Sequence, residues 1–195
     1  MIRTTFGGGA ACVAVSRAEG QAAPQAADPL AGRFGGPFTL TAHDGRRLSD
    51  QDFRGRFMLI FFGFTRCPDI CPTDLATMAK ALELLGPLAD RVQPLFVTVD
   101  PARDDPAALG DYVSSFHPRL IGLTGSEPEI AAVARAYRVH RRKYQPAWAA
   151  PGQYGVDHGS LKYLMGPDGA FATLVPHDTP AERMAAILRP YLAQR

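Results

Sequence analysis

The sequence predicts an α/β domain with a central mixed sheet and flanking helices. Three observations carry that reading. FMLIFF within Arg56–Phe62 is a continuous apolar run and LFVTV at Leu95–Val99 a second, nearly apolar one, as strands buried on both faces are. Each is followed by apolar residues at helical spacing, and alternating strand–helix units fold into a parallel sheet. Later, Leu161–Met165 and Ala170–Val175 flank Pro167-Asp168-Gly169, a hairpin signal that adds antiparallel strands.

Taken in chain order, residues 1–34 are rich in Ala, Gly and Pro without apolar periodicity, and they read as leader and linker. Residues 35–195 read as the folded domain, with packing expected to begin near Phe38. Phe38-Thr39-Leu40-Thr41 alternates as a strand does, His43-Asp44-Gly45-Arg46 is a turn, and Leu48 resumes the pattern. After the first apolar run, Gly63–Arg66 is a loop. Pro72 suits the first residue of a helix, and Leu75, Met78, Ala79, Leu82 and Leu85 continue it to Gly86. Past the second run, Asp105-Pro106 starts a helix with Asp105 as N-cap and a stripe of Leu109, Tyr112, Val113 and Phe116. Leu120–Leu123 is a short strand. Ser126 caps a helix with Glu127 and Glu129 in its first turn and Ile130, Val133, Ala134 and Tyr137 inward. Residues 141–157 read as a long loop. Thr179-Pro180 opens a last amphipathic helix on Met184, Ile187, Leu188 and Leu192.

Composition narrows the function classes. A chain of 195 residues fits one domain plus a tail. Its 46% hydrophobic and 21% charged residues are those of a globular protein. A net charge of +2, with no long basic stretch interleaved with aromatics, gives nucleic acid nothing to bind. Arg141-Arg142-Lys143 reads as a solvated loop. Three cysteines, Cys12, Cys67 and Cys71, are too few for a disulfide scaffold. No apolar run reaches about eighteen residues, so no spanning helix is expected. Arg3, the stretch Phe6–Val15 and the Ala-rich Ala18–Ala27 resemble a weak or shortened signal peptide. Gly9-Ala10-Ala11-Cys12 resembles a lipoprotein cleavage site with Cys12 lipidated; a leader with an incidental cysteine is the alternative.

The chemistry gathers at Thr65-Arg66-Cys67-Pro68-Asp69-Ile70-Cys71-Pro72. A cysteine pair between the first buried strand and its helix makes the fold thioredoxin-like, though three residues separate the cysteines here. At a helix N-terminus the free amides and the helix dipole stabilise a thiolate, and Arg66 adds positive charge. Both redox chemistry and soft-metal binding need that thiolate. Positions four apart on a helix hold their Cβ atoms about 5–6 Å apart, against roughly 3.8 Å for a disulfide. Two thiolates each about 2.3 Å from one metal can sit roughly 4 Å apart, so the spacing suits a metal and still permits a disulfide.

Two thiolates need a third ligand. His43, His117, His140, His158 and His177 are the candidates. His158, in Val156-Asp157-His158-Gly159, precedes the strand at Leu161–Met165, at the loop that faces the cysteines in a thioredoxin fold. The proline usual there is missing between Pro151 and Pro167. Asp157 or a backbone carbonyl could orient the ring; a structural histidine is the alternative. Two sulfurs and an imidazole form a soft set that selects Cu(I), with zinc as competitor. Structural zinc takes a fourth ligand that the cysteines do not supply. Asp100, at the C-terminal end of a strand, suits a functional role or a turn cap.

These residues resemble the Sco/SenC family. Cys67-Pro68-Asp69-Ile70-Cys71-Pro72 matches its CPDxCP signature. Val99-Asp100-Pro101 with Asp104-Asp105-Pro106, Phe116-His117-Pro118, Ile121–Gly125, Val156-Asp157-His158 and Pro167-Asp168-Gly169 continue the likeness from Phe38 to the C-terminus. Asp105 stands where Thr is usual, and Gly159 where Ser or Thr is. The resemblance implies a metallochaperone that binds one copper, as Cu(I), through Cys67, Cys71 and His158. It also implies delivery to the dinuclear copper centre of cytochrome c oxidase subunit II. The expected location is the periplasm or the periplasm-facing side of the inner membrane, with a tether through the N-terminus. The alternative is a thiol–disulfide oxidoreductase using the redox pair Cys67 and Cys71 on the cysteines of the oxidase subunit or of other exported proteins. A thiol peroxidase resembles the Thr65-Arg66-Cys67 segment only loosely.

Overall fold

Phe57–Gly63 (β3) is a strand with all seven residues buried, as the apolar run predicts. The computed structural model describes residues 1, 30, 32–147, 150 and 153–194. Around β3 the chain adds β1 (Thr39–Ala42), β2 (Arg47–Ser49), β4 (Val92–Thr98), β5 (Ile121–Thr124), β8 (Lys162–Met165) and β9 (Phe171–Val175). These seven strands form one sheet in the order β2-β1-β5-β4-β3-β8-β9. β3, β4 and β5 run parallel, while β1 and β8 join antiparallel. This is the mixed, thioredoxin-like sheet that the sequence predicts.

Strand alternation divides the core. Met58, Ile60 and Phe62 face one side of β3 and Phe57, Leu59 and Phe61 the other. Four helices complete the fold: α1 (Ile70–Leu85), α2 (Pro106–Ser114), α3 (Glu127–Ala136) and α4 (Ala181–Ala193). Phe61 shares one core cluster with Leu75 and Met78 of α1, Leu109 of α2 and Leu188 of α4. Phe62 shares the other cluster with Val133 of α3, and its ring lies 5.4 Å from that of Tyr137. Each fully buried Phe or Leu contributes roughly 1.5–3 kcal/mol.

Helix starts obey their caps. Asp105 accepts from the amide of Ala108, and Ser126 with Glu129 forms a capping box on α3. α1, however, begins at Ile70, not at Pro72. Pro72 is its third residue, where the amide it lacks would have had no partner within the helix. The expected loop at 141–157 is also corrected. Arg141–Tyr144 (β6) and Gly155–His158 (β7) pair antiparallel as a separate two-stranded ribbon. Phe34, within the segment read as linker, rests its ring 5.7 Å from Tyr163 and 5.1 Å from Phe171. Cys12 and its surrounding segment lie outside the described residues. Among the described residues no helix is long and apolar enough to cross a membrane.

Candidate metal centre

Cys67 sits in the loop between β3 and α1, its amide donating to the carbonyl of Phe64 at 3.2 Å. That loop is pinned from below. The amide and the hydroxyl of Thr65 donate to the carboxylate of Asp104, at 3.0 and 2.6 Å. Thr98 donates to the same carboxylate at 2.6 Å, and Asp104 is fully buried.

Cys71 lies in the first turn of α1 and is fully buried. Its amide points at the sulfur of Cys67, 3.5 Å away. The last residue of β3 makes room for it. A Cβ on Gly63 would sit 2.7 Å from Cys71 Sγ and 2.7 Å from the Phe96 ring, closer than packed atoms come.

His158 arrives from across the cleft as the last residue of β7, paired with Arg141. Its ring stands edge-on to Phe64 at 5.7 Å and 86°. Nδ1 lies 2.9 Å from the carbonyl of Gly159. A carbonyl only accepts, so Nδ1 carries the hydrogen, and in the neutral ring Nε2 keeps its lone pair. Nε2 is 3.5 Å from Cys71 Sγ. A backbone carbonyl is therefore the orienting partner. Asp157 faces His140 and Arg142 instead, at 3.3 and 3.7 Å.

The Cys67 and Cys71 sulfurs and a His158 ring nitrogen all lie within 4.8 Å of one another. The two sulfurs differ in charge. The Cys71 thiol, donating to Cys67, holds the Cys67 pKa well below its ordinary value, helped by the amides of Cys71 and Asp69. Cys71 is pushed up, by that same donation and by burial. A thiolate on half-buried Cys67 and a thiol on buried Cys71 is the resulting pair. Cys67, Ile70, Tyr144 and His158 line an open cleft of about 410 Å³. Ile70 and Tyr144 are 37% and 47% exposed, an apolar rim beside the sulfurs.

The other predicted residues lie elsewhere. His43 and His117 accept the amides of Gly122 and Arg119, each at 3.1 Å. His177 faces Asp74 at 3.1 Å. Asp100 is fully buried and accepts from the Tyr154 hydroxyl at 2.8 Å and from Arg103, so it anchors the segment that leads to His158. Sequence reasoning missed this anchor. It also missed a buried ion pair, Lys162 to Asp74 at 2.5 Å with 0% and 3% side-chain exposure. The one available signal was an aspartate three residues after Cys71, on the apolar side of α1.

Comparison with known proteins shows the family. A family model described as SCO1/SenC matches residues 26–193. Protein sco1 of Schizosaccharomyces pombe is 40% identical over 164 residues, 84% of this chain and 62% of that protein. The chain thus spans less than two thirds of that relative. Bradyrhizobium japonicum ScoI, solved with copper bound, is 43% identical at a TM-score of 0.74, covering 81% of this chain and 99% of that one. BsSco is 27% identical at a TM-score of 0.67, covering 88% and 100%. It carries a disulfide switch and is described as a member of the Sco family of cytochrome c oxidase assembly proteins.

Proposed function

The chain belongs to the SCO1/SenC family, and from that premise we propose that it carries one copper ion, as Cu(I), on Cys67, Cys71 and His158 and hands it on during cytochrome c oxidase assembly. The observation that carries this reading is the convergence of two sulfurs and an imidazole nitrogen within 4.8 Å, from two places far apart in the chain. Two soft sulfurs and one neutral nitrogen suit Cu(I) better than a hard cation. Two of the three donors, Cys67 and His158, line an open cleft, which leaves room for an incoming ligand, as cargo that must leave requires. The copper-bound Bradyrhizobium relative supports the same cargo. The recipient that fits is the dinuclear copper centre of oxidase subunit II, whose ligands would replace these one by one. The domain would then face the periplasm, tethered through its N-terminal segment.

Anaerobic titration of the reduced protein with Cu(I) tests this, wild type beside His158→Ala, with bound metal counted after desalting. One copper retained per wild-type chain and loss in the variant is the expected result. No retained copper in either overturns it.

A second reading rests on the unequal sulfurs. A half-buried thiolate beside a buried thiol is the arrangement of a thiol–disulfide couple. Oxidation by a partner disulfide would remove two electrons and the Cys71 proton, join the sulfurs and release the partner as one thiol and one thiolate, the latter taking its proton from water. The same event would abolish copper binding, so the couple serves as its switch, in keeping with the disulfide switch of BsSco.

A further inference from the structure

Cys67 and Cys71 are fixed by the main sheet and α1, but His158 is not. It ends a two-stranded ribbon that pairs with no strand of the main sheet. Arg141, its partner in the ribbon, donates to the Val99 carbonyl and ties down that strand, which leaves the lead-in to β7 to be set by another contact. We propose that the guanidinium of Arg103 is that positioning device, a planar clamp that delivers His158 to the cysteine pair. This rests on the reading of the site given above.

Two routes run from Arg103 to His158. Along the backbone, the guanidinium lies over the Tyr154 ring at 3.7 Å. Its Nη1 donates to the Tyr154 carbonyl at 3.0 Å, at the residue where the chain turns into β7. The Tyr154 hydroxyl then closes the ring of contacts on Asp100 at 2.8 Å, and Arg103 Nε donates to that same carboxylate. Through side chains, the guanidinium lies 5.8 Å from the centre of Phe64. Phe64 meets the His158 ring edge-on, and its carbonyl holds the Cys67 amide. One side chain thus touches the lead-in to the histidine and the residue that backs both the histidine and the first cysteine.

The arrangement carries a penalty that packing alone does not explain. Among the described residues, Arg103 Nη2 is buried without a hydrogen-bond partner, and a buried unpaired donor is destabilising. Only a flat cation can stack on Tyr154 while donating edge-on to both the carbonyl and Asp100. A lysine ammonium has no such plane.

The probe is Cu(I) itself, in anaerobic competition with a chromophoric chelator. Wild type, Arg103→Met, Arg103→Lys, His158→Ala and the Arg103→Met/His158→Ala double variant are compared. Arg103→Met is expected to weaken Cu(I) binding about 10–100-fold, the range for residues that orient a metal ligand, with Arg103→Lys recovering little of it. In the double variant the losses should not multiply, because an absent imidazole cannot be mispositioned. Multiplying losses, or full recovery by lysine, would overturn the proposal. Imidazole nitrogen NMR of the reduced, metal-free protein gives a second readout. His158 should show one tautomer in wild type and a mixture in Arg103→Met; an unchanged spectrum would overturn the clamp. Should wild type bind no copper, the copper reading fails while the NMR still decides the clamp. If Arg103→Met does not fold, Tyr154→Ala, at the surface end of the same stack, takes its place with the same expectations.

Discussion

The backbone amide of Cys71 donates to the sulfur of Cys67 across 3.5 Å. The first turn of α1 is therefore folded around the Cys67 sulfur, and the buried cysteine supports the half-buried one. Its thiol is the largest influence holding the Cys67 pKa down.

Cys67 should accordingly be alkylated quickly and at a rate nearly independent of pH between about 6 and 8, because its lowered pKa leaves it ionised throughout. Cys71 should stay unmodified in the native protein. Replacing the donor, in Cys71→Ala, should raise the Cys67 pKa and make its rate climb with pH. Mass spectrometry of iodoacetamide time courses reads both.

Gly63→Ala should damage the site without touching a ligand. The new methyl would sit 2.7 Å from Cys71 Sγ. Overpacking of this kind costs about 1–3 kcal/mol. A drop in unfolding midpoint together with weaker Cu(I) binding is expected; wild-type values for both would contradict the tight contact.

Lys162→Met should destabilise more severely. It leaves Asp74 as a buried charge with only the half-exposed His177 beside it, a loss of about 3–5 kcal/mol for a broken buried pair. Lys162→Met with Asp74→Leu should recover most of that. Urea denaturation of the three proteins separates the pair from its individual charges.

Glu129 supplies a pH signature away from the metal. The Arg47 guanidinium, then the amide and hydroxyl of Ser126, hold its pKa down at about 2. A depressed carboxylate stabilises the fold above its unfolded pKa and loses that contribution as pH falls toward its folded one. Wild type and Glu129→Gln should differ by less than about 1 kcal/mol near neutral pH, since the pair is exposed. They should converge near pH 2.

The parts legible in the sequence were those whose physics is local or strongly patterned. β3 and β4 showed as apolar runs, α2 and α3 by Asp105 and Ser126, and the cysteines by their place before a helix. The ribbon was not legible because its strands have no apolar alternation. RRKY at 141–144 owes its strand pairing to contacts distant in sequence: Arg141 donates to the carbonyl of Val99 and pairs with Glu127. Lys162 gave no signal for a similar reason. A lone lysine in a strand reads as a solvated edge until its partner, Asp74, is seen on a helix packed over it.

The donors Cys71 and His158 stand 87 residues apart in the chain. An ion gripped by both would act as a staple, closing a loop that takes in β4, α2, β5, α3 and the ribbon. Loaded protein should resist heat and proteases better than empty protein, since the staple holds the ribbon against the body. Giving up the cargo would then loosen the very surface that presented it, so that donor and recipient separate more readily once transfer is complete.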